Sequence, residues 1–220
     1  MTTRTGRPPR LSREQIVAAA RALVEARGVD ALTMRRLATD LGATPMAIYH
    51  HVRDREQLLL LLLDDVAAGM QRPHLPADPR ERLVTTARAM HDTLAQVPWI
   101  VEILTADDLL SPAALWYTET IIDSAVNCGL TLDDAVHTYR SIWYYTAGEI
   151  LVHAAAAHRR ATDERPTFRD QLIAGVDPQA MPRLAAVADR WQELTVTDTY
   201  EQGLRALVDG LLTKGVRPTG

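Results

Sequence analysis

The sequence predicts an all-α protein in which a small basic head precedes a larger acidic body. Three observations carry that expectation. Apolar residues recur at spacings of three and four along nearly the whole chain, with no run of β-alternation. Capping residues and glycines punctuate those runs at helix-length intervals. Charge is split, since residues 1–55 hold ten arginines against five carboxylates and residues 56–220 hold fourteen basic against twenty-three acidic groups, within an overall net charge of −4.

At 220 residues, with 47% hydrophobic, 24% charged and 5% aromatic residues, the composition is that of a globular chain of one or two domains; collagen-like and disordered classes are excluded. The longest apolar run, Leu58 to Leu63, ends at Asp64 and Asp65, far short of the roughly 20 residues of a membrane helix, so no membrane partner is expected. The single cysteine, Cys128, has no partner for an internal disulfide, and no apolar leader follows Arg4, Arg7 and Arg10. The expected location is the cytoplasm.

The head opens with Ser12 and Gln15, a capping-box pair, ahead of Ile16, Ala19, Ala20, Leu23 and Val24, and Gly28 ends that helix. Thr33 caps a second, short helix through Met34, Leu37, Ala38 and Leu41, closed by Gly42. Thr44 caps a third, which runs to about His51; Pro45 takes its first position, where the missing N–H costs nothing. Asp54 with Gln57 opens a longer helix through Leu58, Leu59, Leu62, Leu63 and Val66, after which Pro73, Pro76 and Pro79 form a connector. These signals place a head at residues 1–55 and a body at 56–220, with the helix of residues 54–70 shared between them.

In the body, Leu83, Ala87, Met90, Leu94 and Val97 form one helical stripe, and Pro98 interrupts before a short segment through Ile103. Further helices are expected from Ser111 to Asn127, from Thr131 to about Ala157, and from about Thr197 to Leu212. The stretch His158 to Pro182, with Pro166, Pro178 and Pro182, reads as an irregular charged insert.

The order helix, glycine turn, short helix, Gly42-Ala43-Thr44 turn, short helix matches a helix-turn-helix, whose second helix lies in a DNA major groove. On that helix Ala47 and Ile48 face inward, while Thr44, Met46, Tyr49 and His50 face outward beside Arg35, Arg53 and Arg55, a set suited to phosphates and base edges. On periodicity alone, an ordinary three-helix subdomain with a polar surface is the alternative.

Here the sequence resembles a known family. The run Gly28-Val29-Asp30-Ala31-Leu32-Thr33-Met34-Arg35-Arg36-Leu37-Ala38, then Leu41-Gly42, Ile48-Tyr49-His50-His51-Val52 and Arg55-Glu56-Gln57-Leu58-Leu59, is similar to the N-terminal domain of the tetracycline-repressor (TetR) family over residues 10–66. The resemblance implies a helix-turn-helix that reads a palindromic operator, with Thr33, Thr44 and Arg55 toward phosphate and Tyr49 and His51 toward the DNA backbone. The candidates for DNA contact are then Thr33, Arg35, Thr44, Pro45, Met46, Tyr49, His50, His51, Arg53 and Arg55. Arg55 stands where lysine is common and keeps the charge; His50 departs from the bulky aromatic more usual there, so base preference at that position does not carry over. Arg4, Gly6, Arg7, Pro8, Pro9 and Arg10 resemble the family's basic tail, an arm along the DNA or simply a solubilising segment.

The helix from Thr131 carries only Arg140 and Glu149 as charges after Asp134, and apolar residues cover all its faces, which calls for burial on all sides. The last helix repeats Tyr200, Leu204, Leu207 and Leu211, with Gly203 and Gly210 allowing close approach. Together they suggest a four-helix homodimer interface including Tyr139 and Ile142, as the resemblance also implies; plain packing within one chain is the alternative. His91, Trp99 and Trp116, the last on a stripe with Thr120, Asp123 and Asn127, lie on apolar faces that line a cavity or fill a core. The resemblance implies an effector cavity in each subunit and adds Tyr117, Trp143, Tyr144, Glu149 and His153 as candidates. Glu149 and His153, one turn apart, lack a third ligand at recognisable spacing, so no metal and no cofactor is expected. Cys128 reads as packing.

The function these features imply is a ligand-responsive DNA-binding regulator, a homodimeric repressor released from its operator by a small-molecule effector. A body that binds a protein partner or only dimerises is one alternative. A helical-bundle metal or hydrolytic enzyme is another, but the chain has no His-Glu-x-x-His, no Glu-x-x-His pair, no phosphate loop and no Gly-x-Ser-x-Gly elbow, so no catalytic residue is assigned.

Overall fold

The computed structural model describes residues 11–106, 109–163 and 165–214. All the regular elements among them are helical, and the chain divides into two units, Met1–Cys128 and Gly129–Gly220. The basic tail at Arg4 to Arg10 lies outside the described residues.

Local chemistry sets the first four helices. α1 (Arg13–Arg27) begins at a full capping box: Gln15 N–H donates to Ser12 Oγ at 3.2 Å, and Ser12 N–H donates to Gln15 Oε1 at 3.0 Å. Gly28, at φ +80°, ends it in a backbone conformation that side chains disfavour. After a 3₁₀ turn at Val29–Ala31, α2 (Met34–Asp40) starts at Thr33, whose Oγ1 accepts the N–H of Arg36. Gly42, at φ +60°, turns the chain into α3 (Pro45–Tyr49). α4 (Arg55–Ala68) starts at Asp54, whose carboxylate accepts the Gln57 N–H at 2.7 Å. Ile16, Ala20, Leu23, Val24, Leu32, Leu37, Ile48 and Val52 are buried, as are Leu58, Leu59, Leu62 and Leu63 of α4.

Two polar ties hold α4 to different neighbours. Arg21 Nη1 of α1 lies 2.9 Å from Asp65 Oδ2, and the Ser111 hydroxyl donates to Asp64 Oδ1 at 2.7 Å. Ser111 caps a 3₁₀ turn, Pro112–Ala114, where the sequence predicts the start of an α-helix. The unit is completed by α5 (Pro79–Ala95), α6 (Trp99–Ala106) and α7 (Leu115–Asn127), and α5 packs along α7. Cys128 closes α7 half-buried, and burial pushes its thiol pKa up, which keeps it protonated and a poor nucleophile.

The second unit is built on α8 (Leu132–Thr162), 31 residues and about 46 Å long. It runs five residues past the expected end near Ala157, into the stretch that the sequence reads as irregular. That stretch also forms α9 (Phe168–Ala174) and ends where α10 (Pro182–Ala185) begins; a 3₁₀ turn at Ala188–Arg190 and α11 (Trp191–Val196) follow it. The expectation of an irregular insert is thus corrected. Thr167 and Asp170 form a capping box directly after Pro166, and Pro182 occupies the first turn of α10, so these prolines begin helices instead of breaking them.

α12 (Tyr200–Lys214) docks on α8 through Tyr200, Leu204 and Val208, all buried. The tyrosine rings of Tyr145 and Tyr200 stack with centroids 5.2 Å apart, the Tyr145 hydroxyl donates to the Tyr200 carbonyl at 3.3 Å, and the Tyr200 hydroxyl lies 2.7 Å from Thr146 Oγ1. Gly203 makes this possible, because a Cβ there would sit 2.1 Å from Tyr145 Oη. The close approach at Gly203 is therefore made to a ring of the same chain. A Cβ at Gly210 meets open space.

Gly203→Ala is expected to destabilise the second unit by about 1–3 kcal/mol through overpacking, measured by denaturant unfolding. Tyr145→Ala in the same background is expected to recover part of that loss, because it removes the ring that the new methyl strikes. Additive losses in the double variant would show that the Gly203–Tyr145 contact does not hold α12 on α8.

Candidate DNA-reading face and effector sites

α3 has five residues, too few to persist alone. Three features hold it: the Thr44 hydroxyl accepting the Ala47 N–H at 3.2 Å, Pro45 pre-set in its first position, and Ile48, fully buried where α3 packs on α2. With that side pinned, the opposite side faces solvent. Met46 is 66% exposed and Tyr49 45%, and Thr44, Pro45, His50 and His51 are exposed with them.

The neighbouring segments carry exposed cations. Arg35 and Arg36 of α2 and Arg53 of the turn before α4 are exposed and have no ion-pair partner among the described residues, so their charge is not locally neutralised. The Arg55 Nε donates to the Leu32 carbonyl at 3.3 Å, which fixes this half-buried side chain beside the residue preceding the Thr33 cap, twenty-three positions away in sequence. Thr33 and Arg35 line an open hollow of about 350 Å³ with Asp30, Ala31, Arg36 and Thr39. Arg36 and Thr39 are not among the sequence candidates. Their signal was present, since both lie one turn from Thr33 or Arg35 on the same short helix, as the Thr39 hydroxyl bond to the Arg35 carbonyl shows.

The candidate effector residues fall in both units, and each set is described within its own unit. In the first, His91, Trp99 and Tyr117 are buried and Trp116 is half-buried. His91 Nδ1 lies 3.0 Å from Asp92 Oδ1, and the Tyr117 hydroxyl donates to the Gln71 carbonyl at 3.1 Å. Trp116 meets Tyr117 edge to face at 4.9 Å and carries the Arg72 guanidinium 5.2 Å above its ring. On the Trp116 stripe, Thr120 donates to the Trp116 carbonyl and the Asn127 amide to that of Asp123, while the Asp123 carboxylate lies 3.7 Å from the Arg82 guanidinium of α5.

In the second unit, Tyr144, Glu149 and His153 come together with Tyr145, Gly148 and Val152 around an open hollow of about 410 Å³. His153 Nδ1 lies 3.4 Å from Glu149 Oε1, and Arg140 sits 5.8 Å from the Tyr144 ring. Trp143 is half-buried on α8 and is not part of that lining. Burial, with Glu149 and Asp198 nearby, pushes the Tyr145 phenol pKa up, so it stays a neutral donor. Of the interface candidates, Ile142, Tyr200 and Leu204 are buried, whereas Tyr139, Leu207 and Leu211 are half-buried. Among the described residues no group of three or more His, Cys, Asp or Glu is placed to hold a metal, and no helix is long and apolar enough to cross a membrane.

A three-helix head with a pinned recognition helix, mounted on a helical body, defines a DNA-binding transcriptional regulator of helix-turn-helix type. Residues 16–62 match the bacterial regulatory proteins of the tetR family, and residues 72–214 match the tetracyclin repressor-like C-terminal domain. The chain belongs to the tetR family. It is similar to the HTH-type transcriptional repressor DrrR1 of Streptomyces coeruleorubidus, 28% identical over 94% of this chain and 79% of that protein. Its identity to the class A tetracycline repressor protein from transposon 1721 of Escherichia coli is also 28%, over 92% of this chain and 91% of the relative. Among solved structures, ActR of Streptomyces coelicolor in complex with actinorhodin superposes with a TM-score of 0.71 at 25% identity, covering 94% of this chain and 98% of ActR.

Loss of the α3 cap has a defined cost. Thr44→Ala is expected to lower the unfolding free energy by about 1 kcal/mol, with Thr44→Ser retaining most of it, read by urea denaturation. Equal stability of the alanine and serine variants would remove the cap from the account of how α3 is held.

Proposed function

We propose that this regulator is a homodimeric repressor that a small-molecule effector releases from a palindromic operator. The observation that carries the proposal is the outward face of α3, with Met46, Tyr49 and His50 exposed, while Arg35, Arg36 and Arg53 of the neighbouring segments are exposed without an ion-pair partner among the described residues. Thr33, Thr44 and Arg55 are assigned to phosphate, Tyr49 and His51 to the DNA backbone, and Arg35, Pro45, Met46, His50 and Arg53 to the groove and its edges. Residues 1–55 form the DNA-binding domain and residues 56–220 the effector and dimerisation domain, with α4 shared between them.

Effector contact is assigned to His91, Trp99, Trp116 and Tyr117 in one unit and to Trp143, Tyr144, Glu149 and His153 in the other. Support for a small-molecule effector comes from ActR, solved with actinorhodin. Release follows if the effector binds a DNA-incompetent arrangement more tightly, and linkage then requires DNA to weaken effector binding by the same factor. For dimerisation we propose the surface of α8 and α12. Tyr139, Leu207 and Leu211 reach it, and Ile142, Tyr200 and Leu204 support it from beneath.

The test is binding of purified protein to duplex fragments from its own upstream region, titrated over salt with unrelated duplex as competitor. Specific, salt-sensitive binding is expected; absence of any binding at low salt would contradict the proposal. Tyr49→Ala is expected to abolish specific binding, and Arg55→Ala to weaken binding to all sequences and reduce the salt slope by about 1 per subunit. Both variants are expected to remain dimers by sedimentation. Leu207→Asp with Leu211→Asp is expected to yield folded monomers with weakened DNA affinity through lost bivalency. A stable dimer in that variant would place the interface elsewhere.

A further inference from the structure

The N-terminal residues of a recognition helix are those that meet base edges, and in α3 they are Thr44, Pro45 and Met46. None offers the paired hydrogen-bonding groups of Arg, Asn or Gln that read guanine or adenine. The Thr44 oxygen already accepts the Ala47 N–H, Pro45 has no donor, and Met46 has only a thioether. Yet Met46 is 66% exposed, while Ile48, two residues on, is fully buried. The helix thus spends its leading outward position on an apolar side chain. In the major groove the apolar feature that distinguishes base pairs is the C5-methyl group of thymine.

We infer that Met46, with Pro45 beside it, reads a thymine methyl in each operator half-site. This rests on the DNA-binding reading above and names the base chemistry that reading leaves open. His50 lies four residues beyond Met46, on the same exposed face, and supplies a polar contact beside the methyl, while Tyr49 keeps its place toward the DNA backbone. The unbranched thioether adapts its rotamers to the methyl at little strain.

The experiment uses the full-length protein and a duplex enriched from a random-sequence pool by binding to it. That duplex is synthesised twice, with thymine and with uracil throughout, the second lacking every C5-methyl. Wild-type protein is expected to bind the uracil duplex about ten-fold more weakly, the effect of one lost methyl contact in each half-site. Met46→Ala, at an exposed position that leaves the fold intact by thermal denaturation, is expected to bind the two duplexes alike. Equal binding of both duplexes by wild type would overturn the inference, as would a thymine preference that survives in Met46→Ala. Enriched half-sites without an invariant thymine would also overturn it. A pool from which no sequence is enriched would instead overturn the DNA-binding reading, and this inference with it.

Discussion

A single helix, α4, must satisfy two sets of neighbours, and the arrangement of the first unit depends on it. Leu58, Leu59, Leu62, Leu63, Val66 and Ala67 are buried on it, while Glu56, Asp64, Asp65 and Ala68 face solvent. Its paired carboxylates divide the polar work, Asp65 meeting Arg21 of α1 and Asp64 taking the Ser111 hydroxyl at the approach to α7. Each tie is partly exposed and contributes modestly by itself; burying the leucines contributes about 1.5–3 kcal/mol apiece and sets the position. The start of the same helix carries Arg55, bonded to the Leu32 carbonyl, so the orientation of α4 and the placement of the residues around Thr33 are mechanically one matter.

Pinning of this kind suits a reading head. α3 contributes one fully buried side chain, Ile48, with Ala47 half-buried beside it and a hydroxyl cap, and its Pro45, Met46 and Tyr49 are available to a ligand. The second unit solves a different problem. There the stacked Tyr145 and Tyr200, with Gly203 beneath the ring, fasten α12 to α8, and that lock leaves Tyr144, Gly148 and Val152 of α8 exposed. Tyr144 and Val152 are large apolar groups held outward on a long helix, a feature suited to a ligand or a partner, and the proposed effector contact uses Tyr144.

Much of this was legible in the sequence, for reasons that are local. Ser12 with Gln15, Thr33, Thr44 with Pro45, and Asp54 with Gln57 mark helix starts because the chemistry of a cap is complete within four residues. Gly28 and Gly42 mark ends because the chain there needs positive φ. Residues 158–182 look irregular in the sequence because a proline that begins a helix and one that breaks it are alike until the cap beside it is recognised; Thr167 and Asp170 are that signal. On α12 the spacing of Tyr200, Leu204, Leu207 and Leu211 suggests a seam between chains, but the chain's own core takes Tyr200, Leu204 and Val208. Periodicity shows which residues seek burial, not whether α8 or a second molecule provides it. Charge alone does not rank the neighbouring Arg35 and Arg36, whereas the hollow at α2 includes both.

The central claim is that the face formed by α2, α3 and the start of α4 is where DNA is held. Hydrogen exchange of the full-length protein, with and without a bound operator duplex, tests it without any substitution. The strongest new protection is expected in backbone amides of residues 33–57. Protection that leaves those residues unchanged and falls in residues 129–214 would contradict the account.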